Sequence, residues 1–176
     1  MKTKIKTLSD ALTFLLQGLY FAENALTKEF ASCCGAVSSP KIRKTIQSYI
    51  ASCYDKKLKI ERISNYLMKE PLSRNNEVIT SMIKETQTML SSSNSEALRD
   101  VLSIACLQNI NTYKISGYRS AHMMAAELEL DAVTNLVQQI LDWELETQRD
   151  LSVLLSEEFN KNQGTMKLKN QAWEIE

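Results

Sequence analysis

The stretch SSPKIRKTIQSYIASCYDKKLKIERISNYL, residues 38–67, decides the fold class of this chain. It predicts a helix with Ser39 as the N-cap and Pro40 at the first position, where the missing N–H of proline costs nothing. Its apolar residues then recur at steps of three and four, the spacing of one face of an α-helix. This stripe, which includes one lysine, consists of Ile42, Ile46, Tyr49, Cys53, Lys56, Ile60, Ile63 and Leu67. The pattern predicts one long helix that ends before Pro71.

The same spacing predicts three further long helices. They run from Thr7 or Ser9 to Gly35, from about Glu96 to Leu128, and from about Asp131 to Asn160. Thr7 and Asp10 resemble a capping box, and Gly35 suits a left-handed C-terminal cap. The chain has only four glycines and two prolines in 176 residues, so it contains few helix breakers. We predict an all-α bundle of four long helices.

An additional short helix is predicted from Asn76 to Leu90, with an apolar face of Val78, Met82, Ile83 and Met89. Residues 1–160 are predicted to form this single bundle. The residues turn polar after Asn160, and Gly164 breaks the pattern, so residues 161–176 are predicted to be a C-terminal tail. This tail could be loose or could dock through Trp173 and Ile175.

The charge balance excludes several classes of partner. Lys plus Arg and Asp plus Glu number 21 each, so no strong electrostatic attraction to nucleic acid or to an anionic membrane is expected. Polar residues interrupt every apolar stretch, which argues against a transmembrane segment. The basic start of the chain is not followed by a convincing signal cleavage site. We therefore expect a cytoplasmic protein that binds neither nucleic acid nor membrane.

The four cysteines, Cys33, Cys34, Cys53 and Cys106, lack any CxxC spacing. Adjacent cysteines cannot easily serve one tetrahedral zinc ion, and a disulfide framework is unexpected in a long helical chain. We expect reduced thiols that are buried on helices. A cysteine–histidine nucleophile would need His122, the sole histidine, and the chain has no glycine-rich phosphate loop and no GxSxG turn.

Each long helix carries a polar residue near the middle of its stripe. Lys56, Asn111 and Glu144 lie on their stripes, Glu23 adjoins the first stripe beside Ala22, and Lys114 lies one turn on from Asn111. Three interpretations are open: a buried layer of salt bridges that fixes helix register, side chains that face water, or a site for two iron or manganese ions. Two hard cations need several carboxylates, whereas this layer has two, together with one or two lysines. The buried salt-bridge layer is therefore favoured.

His122 is not expected to be a metal ligand. The Glu-x-x-His motif of bundles that bind two metal ions is absent from the sequence, and the positions where its partner would stand hold Tyr118 and Arg119. We predict that His122 is a packing residue.

Several segments together resemble one known family. They are Leu19–Leu26 (LYFAENAL), Ser38–Ile42 (SSPKI), Glu61–Ile63 (ERI), Tyr113–Tyr118 (YKISGY) and Leu141–Glu144 (LDWE). The pattern is similar to the ferritin-like bacterial family typified by the YciE and YciF stress proteins, and it extends from about Leu8 to Phe159. This resemblance implies a ferritin-like four-helix bundle and a homodimer.

The resemblance also implies where a di-metal site would stand. It carries over Glu23, Glu144 and, by a looser match, Asp55 as remnants of the ligand set. At the other ligand positions it places Lys56, Lys59, Asn111, Thr112 and Lys114. One acid of the last helix is replaced by Trp143. We therefore expect no metal ligands, no catalytic residues and no cofactor.

The predicted function is that of a non-catalytic bundle without a di-metal centre. It would act through assembly as a homodimer or through a protein partner, in a setting related to stress. One alternative is a di-iron or di-manganese oxidase, or a peroxide-handling protein, with Glu23, Asp55 and Glu144 converging as ligands. A second alternative is a metal-free module that binds a small ligand in an apolar pocket between helices. The small residues Gly18 and Gly117 could permit close helix contact or leave space for a ligand.

Overall fold

The chain forms five α-helices in the ranges that the computed structural model describes. These ranges are residues 5–30, 35, 37–69 and 74–167, with side chains up to residue 161. The helices are α1 (Leu8–Ala25), α2 (Pro40–Tyr66), α3 (Glu77–Ser92), α4 (Glu96–Glu127) and α5 (Asp131–Lys167). A π-helical turn, Leu26–Phe30, continues α1. The described ranges contain no strand, and the predicted bundle of four long helices with one short helix is confirmed.

The two helix starts that were predicted from their N-caps, Thr7 and Ser39, are confirmed. The backbone N–H of Asp10 donates to Thr7 Oγ1 at 3.0 Å, and the N–H of Thr7 donates back to Asp10 Oδ2 at 3.1 Å. These reciprocal bonds form a capping box. At the start of α2, Ser39 is the N-cap and Pro40 is the first helical residue.

A buried carboxylate fixes the entry to α2. Asp100 of α4 is 4% exposed. It accepts hydrogen bonds from the Ser38 backbone N–H at 2.8 Å, the Ser38 hydroxyl at 2.7 Å and the Ser39 N–H at 2.9 Å. These bonds hold the residues before the N-cap against α4, so α2 begins at a defined position.

Two predicted helix ends are wrong. Gly35 does not adopt the left-handed conformation, since no glycine of the described residues has a positive φ. The hydrogen bonding of the first helix changes to the π pattern at Leu26, well before that glycine. The last helix continues past Asn160 and through Gly164 to Lys167, because one glycine costs a helix only about 1 kcal/mol. Pro71, Trp173 and Ile175 lie outside the described residues.

The short helix presents a different face from the predicted one. Val78 is 50% exposed and Met89 is 38% exposed, while the buried side chains are Ile79, Ile83, Thr86 and Leu90. The buried face is therefore rotated by one residue from the expected stripe. The error arose because α3 has apolar residues on both sides, which makes its period ambiguous.

The apolar core has two parts that lie at opposite ends of the bundle. One is centred on Phe30, Ile46 and Leu107, and the other on Leu16, Ile63 and Val137. The polar mid-helix residues lie between the two clusters. None of the described helices combines the length and the apolarity needed to cross a bilayer.

Candidate functional site

One charged residue from each long helix meets at the centre of the bundle. Glu23 comes from α1, Lys56 from α2, Lys114 from α4 and Glu144 from α5, and all four are 0% exposed. We call these four residues the ion-pair layer. Each lies on the inward stripe of its helix, so the same spacing that buries the apolar side chains also buries these charges. The predicted mid-helix layer thus forms, and Lys114 belongs to it.

The charges alternate in sign along a chain of contacts. Lys114 Nζ lies 2.8 Å from Glu23 Oε1 and 2.7 Å from Glu144 Oε1. Lys56 Nζ lies 3.0 Å from the same Glu144 oxygen. Two carboxylates and two ammonium groups give the layer no net charge. This pairing is what makes their burial possible, because an isolated buried ion would be far more costly.

Two buried tyrosines complete the layer. The Tyr118 hydroxyl donates to Glu23 Oε1 at 2.7 Å, and the Tyr49 hydroxyl accepts from Lys114 Nζ at 2.9 Å. The Lys56 and Lys114 ammonium nitrogens lie 4.7 and 4.8 Å from the Tyr49 ring centroid. The sequence placed both tyrosines on apolar stripes but did not reveal this role. A general rule could have indicated it, because a buried tyrosine hydroxyl usually needs a polar partner.

Asn111 joins the layer through the backbone rather than through the charges. Its side-chain N–H groups donate to the Glu144 carbonyl at 2.9 Å and to Gln148 Oε1 at 2.9 Å. Among the described residues, Glu144 Oε2 makes no hydrogen bond, and Glu144 Oε1 and Lys56 Nζ meet at ion-pair distance without hydrogen-bond geometry. The attraction of two ammonium groups therefore holds the Glu144 charge, whereas Glu23 is held by directed hydrogen bonds as well.

The surroundings of Glu23 and Lys114 favour the charged forms of both groups. Burial pushes the pKa of Glu23 upward, but Lys114, Lys56 and the hydrogen bonds from Lys114 and Tyr118 outweigh it, so the pKa is lowered. Burial pushes the pKa of Lys114 downward, but Glu144 and Glu23 outweigh it, so that pKa lies well above its ordinary range.

The neighbouring weak acids stay protonated. Burial and then Glu144 raise the pKa of Tyr49 well above its ordinary value, and burial and then Glu23 do the same for Tyr118. Burial, reinforced by Glu23, raises the pKa of the Cys53 thiol strongly. A protonated, buried thiol is a poor nucleophile. The hydroxyls of Tyr49 and Tyr118 and the thiol of Cys53 therefore stay protonated near neutral pH.

The other residues that the resemblance singled out lie away from the layer. Asp55 is exposed, and Thr112 is exposed and donates to the Gln108 carbonyl at 2.8 Å. Lys59 donates to Gln139 Oε1 at 2.6 Å. Glu23, Asp55 and Glu144 therefore do not converge. Asp55 is the direct neighbour of inward-facing Lys56, and successive helical residues point about 100° apart.

The residues present do not fit a di-metal centre. The two inward carboxylates are already neutralised by two ammonium groups, and lysine ammonium cannot ligate a cation. The described residues contain no cluster of three or more His, Cys, Asp or Glu side chains that could hold a metal ion. His122 is partly buried on α4. Cys53 and Cys106 are buried free thiols, as predicted, and Cys33 and Cys34 lie outside the described residues.

Of the two predicted roles for Gly18 and Gly117, the structure favours close packing. A Cβ at Gly117 would lie 2.9 Å from Leu19 Cδ2, and one at Gly18 would lie 2.5 Å from Arg74 Nη2. A cavity of about 230 Å³ does adjoin Gly117. However, the lining side chains of Arg74 and Asn76 already donate to backbone carbonyls of α1, those of Phe14 and Gly18. This cavity therefore offers few free polar groups to a ligand.

Comparisons with known proteins identify similar chains. The sequence pattern of the family described as "Domain of unknown function (DUF892)" matches residues 7–164. Protein YciF of Escherichia coli K12 is 25% identical over 161 residues, which cover 89% of this chain and 95% of YciF. The crystal structure of the E. coli stress protein YciF matches with a TM-score of 0.84 at 23% identity, over 89% of this chain and 99% of the other. YcfI of Rhodopseudomonas palustris, described as a candidate structural protein, matches with a TM-score of 0.83 at 20% identity, over 86% and 97%.

Proposed function

The chain belongs to the DUF892 family, and we propose that it is a non-catalytic, metal-independent helical bundle that acts through its surface. Family membership confirms the predicted resemblance to YciF. The proposed activity is assembly as a homodimer or with a protein partner in the cytoplasm, without binding to nucleic acid or membrane. Since the E. coli relative is called a stress protein, we extend the proposal to a stress-related setting.

The observation that carries this proposal is the position of the two lysines. Lys114 Nζ lies within 2.8 Å of Glu23 and 2.7 Å of Glu144, at the point towards which both carboxylates are directed. A divalent ion there would have to displace or deprotonate Lys114. The raised pKa of Lys114, where burial is outweighed by Glu144 and Glu23, opposes deprotonation. The ammonium groups thus supply the positive charge that metal ions supply in bundles with a di-metal site.

A second line of support is the inaccessibility of the layer. Its four charged side chains are 0% exposed, and Tyr49 and Tyr118 are 3% and 0% exposed. A substrate has no contact with these groups unless the bundle opens. Surface binding, by contrast, needs no such opening. The buried layer is best explained as a device that fixes helix register, a role for which buried polar groups are well attested.

A metal-loading experiment tests the proposal. The purified chain is incubated with ferrous iron, manganese or zinc, freed of excess ion by gel filtration, and measured for metal per chain by mass spectrometry. We expect no stoichiometric metal. Binding of one or two equivalents that is lost in Glu23→Gln or Glu144→Gln would overturn the proposal. Asp55→Asn is the matched control, because it removes an exposed carboxylate beside the layer.

A further inference from the structure

The cavity of about 230 Å³ beside Gly117 lies where α1 and α4 meet the residues that lead into α3. Leu15 and Leu19 line it from α1, and Ser116 lines it from α4. Among the described residues of its lining, Arg74 alone is charged. We call this space the Arg74 cavity. It combines an apolar wall with one positive group.

Three contacts fix the side chain of Arg74, which is half-buried. The guanidinium carbon lies 3.8 Å from the centroid of the Phe14 ring, a cation–π contact. The Nε group donates to the Phe14 carbonyl at 3.3 Å, and Nη1 donates to the Asn75 carbonyl at 3.0 Å. Because the guanidinium is held on its face and at two of its nitrogens, its orientation is set before a ligand arrives. Such preorganisation lowers the cost of binding.

The few polar groups that remain free in the Arg74 cavity are hydrogen-bond donors. With the described residues, Arg74 Nη2 makes no hydrogen bond and the guanidinium forms no ion pair. In the same part of the chain the Ser116 hydroxyl has no partner, whereas the Ser120 hydroxyl donates to the Ser116 carbonyl at 3.1 Å. Tyr113 and Asn76 are bonded to each other at 3.0 and 3.3 Å. A guanidinium nitrogen and a hydroxyl are therefore available to an acceptor.

Gly18 provides the space in which the guanidinium lies. A Cβ at this position would be 2.5 Å from Arg74 Nη2, so any larger residue would force the guanidinium to move. The close packing at Gly18 is thus packing against the cationic group itself. Gly18 lies inside α1, where glycine is less favourable than alanine. The position of Arg74 gives this helical glycine a reason.

We propose that the Arg74 cavity binds a small organic monoanion, a carboxylate on a short apolar group. The carboxylate accepts from Arg74 and Ser116, and the apolar group packs against Leu15 and Leu19. One guanidinium balances one negative charge, and arginine pairs with carboxylates through parallel N–H···O bonds. The lining has no second cation for a dianion such as phosphate among the described residues. Pockets for drug-sized ligands measure about 300–1,000 Å³, so this cavity fits a molecule of a few carbon atoms.

Such a ligand would join three elements of the fold. Arg74 leads into α3, and Asn76, the N-cap of α3, donates to the Gly18 carbonyl of α1 at 3.3 Å and to the Tyr113 hydroxyl of α4 at 3.0 Å. A carboxylate on Arg74 and Ser116 adds a further link between α3 and α4. The site goes beyond the proposed function, since it involves neither the ion-pair layer nor a protein partner.

Titration of the isotope-labelled full chain with sodium butyrate, followed by NMR, tests the site. We expect saturable shifts of the backbone amide signals of Ser116 and Gly117 and of the Nε–H signal of Arg74. Butyramide has nearly the same shape without the charge. It is expected to bind about tenfold more weakly or less, because charge-assisted hydrogen bonds are roughly twice as strong as neutral ones. Sodium chloride at equal ionic strength is the control for salt.

Two variants test the role of the guanidinium. Arg74→Gln removes the charge, and Gly18→Ala displaces the guanidinium while it favours the helix. Each is expected to raise the Kd for butyrate by about tenfold or more. Gly18→Ala keeps the test decisive if Arg74→Gln disturbs the entry to α3. Arg119→Gln removes an exposed arginine of α4 that is outside the lining, and it is the matched control with the wild-type Kd.

Several results would contradict the site. Butyrate that causes no saturable shift, equal Kd values for butyrate and butyramide, or a wild-type Kd in Arg74→Gln or Gly18→Ala would each overturn it. Sodium phosphate that binds more tightly than butyrate would overturn the assignment to a monocarboxylate. Metal content and partner binding are separate measurements, so failure of the proposed function is distinguishable.

Discussion

Lys114 Nζ lies 2.8 Å from Glu23 Oε1 at the centre of the bundle, where neither side chain is exposed to solvent. This contact joins α4 to α1, and the contact of the same nitrogen with Glu144 joins α4 to α5. The same nitrogen also donates to the Tyr49 hydroxyl of α2 at 2.9 Å, so one ammonium group links all four long helices. Its loss should affect the stability of the whole bundle rather than that of a single element.

Replacing Lys114 by methionine is expected to lower the free energy of unfolding by about 3–5 kcal/mol, the range for breaking a buried ion pair by removing one partner. Glu23 and Glu144 would then be buried with only Lys56 to balance them. Urea denaturation followed by circular dichroism measures the change. Lys44→Met, an exposed position on α2, is the control and is expected to change stability by less than about 0.5 kcal/mol.

The partnership of Lys56 and Glu144 predicts non-additive effects. Lys56→Met alone is expected to cost about 3–5 kcal/mol, because it leaves the layer with an unbalanced carboxylate. The double variant Lys56→Met with Glu144→Gln keeps Glu23 paired with Lys114, so it should cost less than the sum of the two single changes. A double-mutant cycle in urea measures this coupling. If Lys56→Met left the thermal stability unchanged, this result would contradict the interpretation of Lys56 and Glu144 as a buried ion pair.

Stability is expected to fall at both extremes of pH. The pKa of Glu23 is lowered because burial is outweighed by the lysines and hydrogen bonds. Its contribution is therefore present above the ordinary value of 4.5 and is lost as the pH falls below it. The pKa of Lys114 is raised because Glu144 and Glu23 outweigh burial, so its contribution is complete below 10.5 and is lost as the pH rises above that value.

Urea titrations between pH 3 and pH 11 measure the free energy of unfolding at each pH. We expect a plateau at neutral pH, a fall at acid pH (the acid limb) and a fall at alkaline pH. Glu23→Gln removes the group responsible for part of the acid limb. The loss of stability between about pH 4.5 and pH 3 should therefore be smaller in this variant than in the wild type. An identical slope would show that Glu23 does not titrate as proposed, and that exposed acids govern this limb.

Two residues of the ion-pair layer could be located from the sequence because they stand within regular apolar stripes. Lys56 and Glu144 each lie where an apolar residue was expected, so the helical period predicts that they are inside. Glu23 was placed only beside its stripe, and Lys114 only near Asn111. The roles of Tyr49 and Tyr118 could not be predicted. Their rings fit an apolar stripe, and the partner of a hydroxyl depends on how neighbouring helices are rotated.

At Asp55 the family resemblance and the helical period made different predictions. The resemblance assigned it to the ligand set, whereas the helical period places its neighbour Lys56 on the inner face. The structure follows the period, since Lys56 is buried and Asp55 is exposed. Burial of the apolar stripe fixes the rotation of the whole helix, and a single substituted ligand position cannot change it.

Asp100 is expected to be essential for the entry to α2. Because it accepts three hydrogen bonds from Ser38 and Ser39, Asp100→Asn should lower the free energy of unfolding by about 1–3 kcal/mol. Thermal and urea denaturation measure the loss. Glu85→Gln, at an exposed position on α3, is the control. Equal stabilities of the two variants would contradict the proposed anchoring role.

Two helix ends carry a strained residue that glycine would relieve. Met68 and Glu129 have φ of 52° and 56°. Each follows the last turn of a helix, as shown by the bonds from the Lys69 N–H to the Ser64 carbonyl and from the Leu130 N–H to the Ala125 carbonyl. This is the Schellman arrangement, in which glycine is preferred at the left-handed position.

Met68→Gly is therefore expected to raise the free energy of unfolding by up to about 1 kcal/mol, since a side chain in this conformation costs about 1–2 kcal/mol and glycine loses more entropy on folding. Met68 is 93% exposed, so its side chain contributes little packing. Met123→Gly is the matched control. Met123 is 71% exposed but lies inside α4, where glycine should destabilise by about 1 kcal/mol. Urea denaturation that gave both variants the same sign would refute the assignment of strain to Met68.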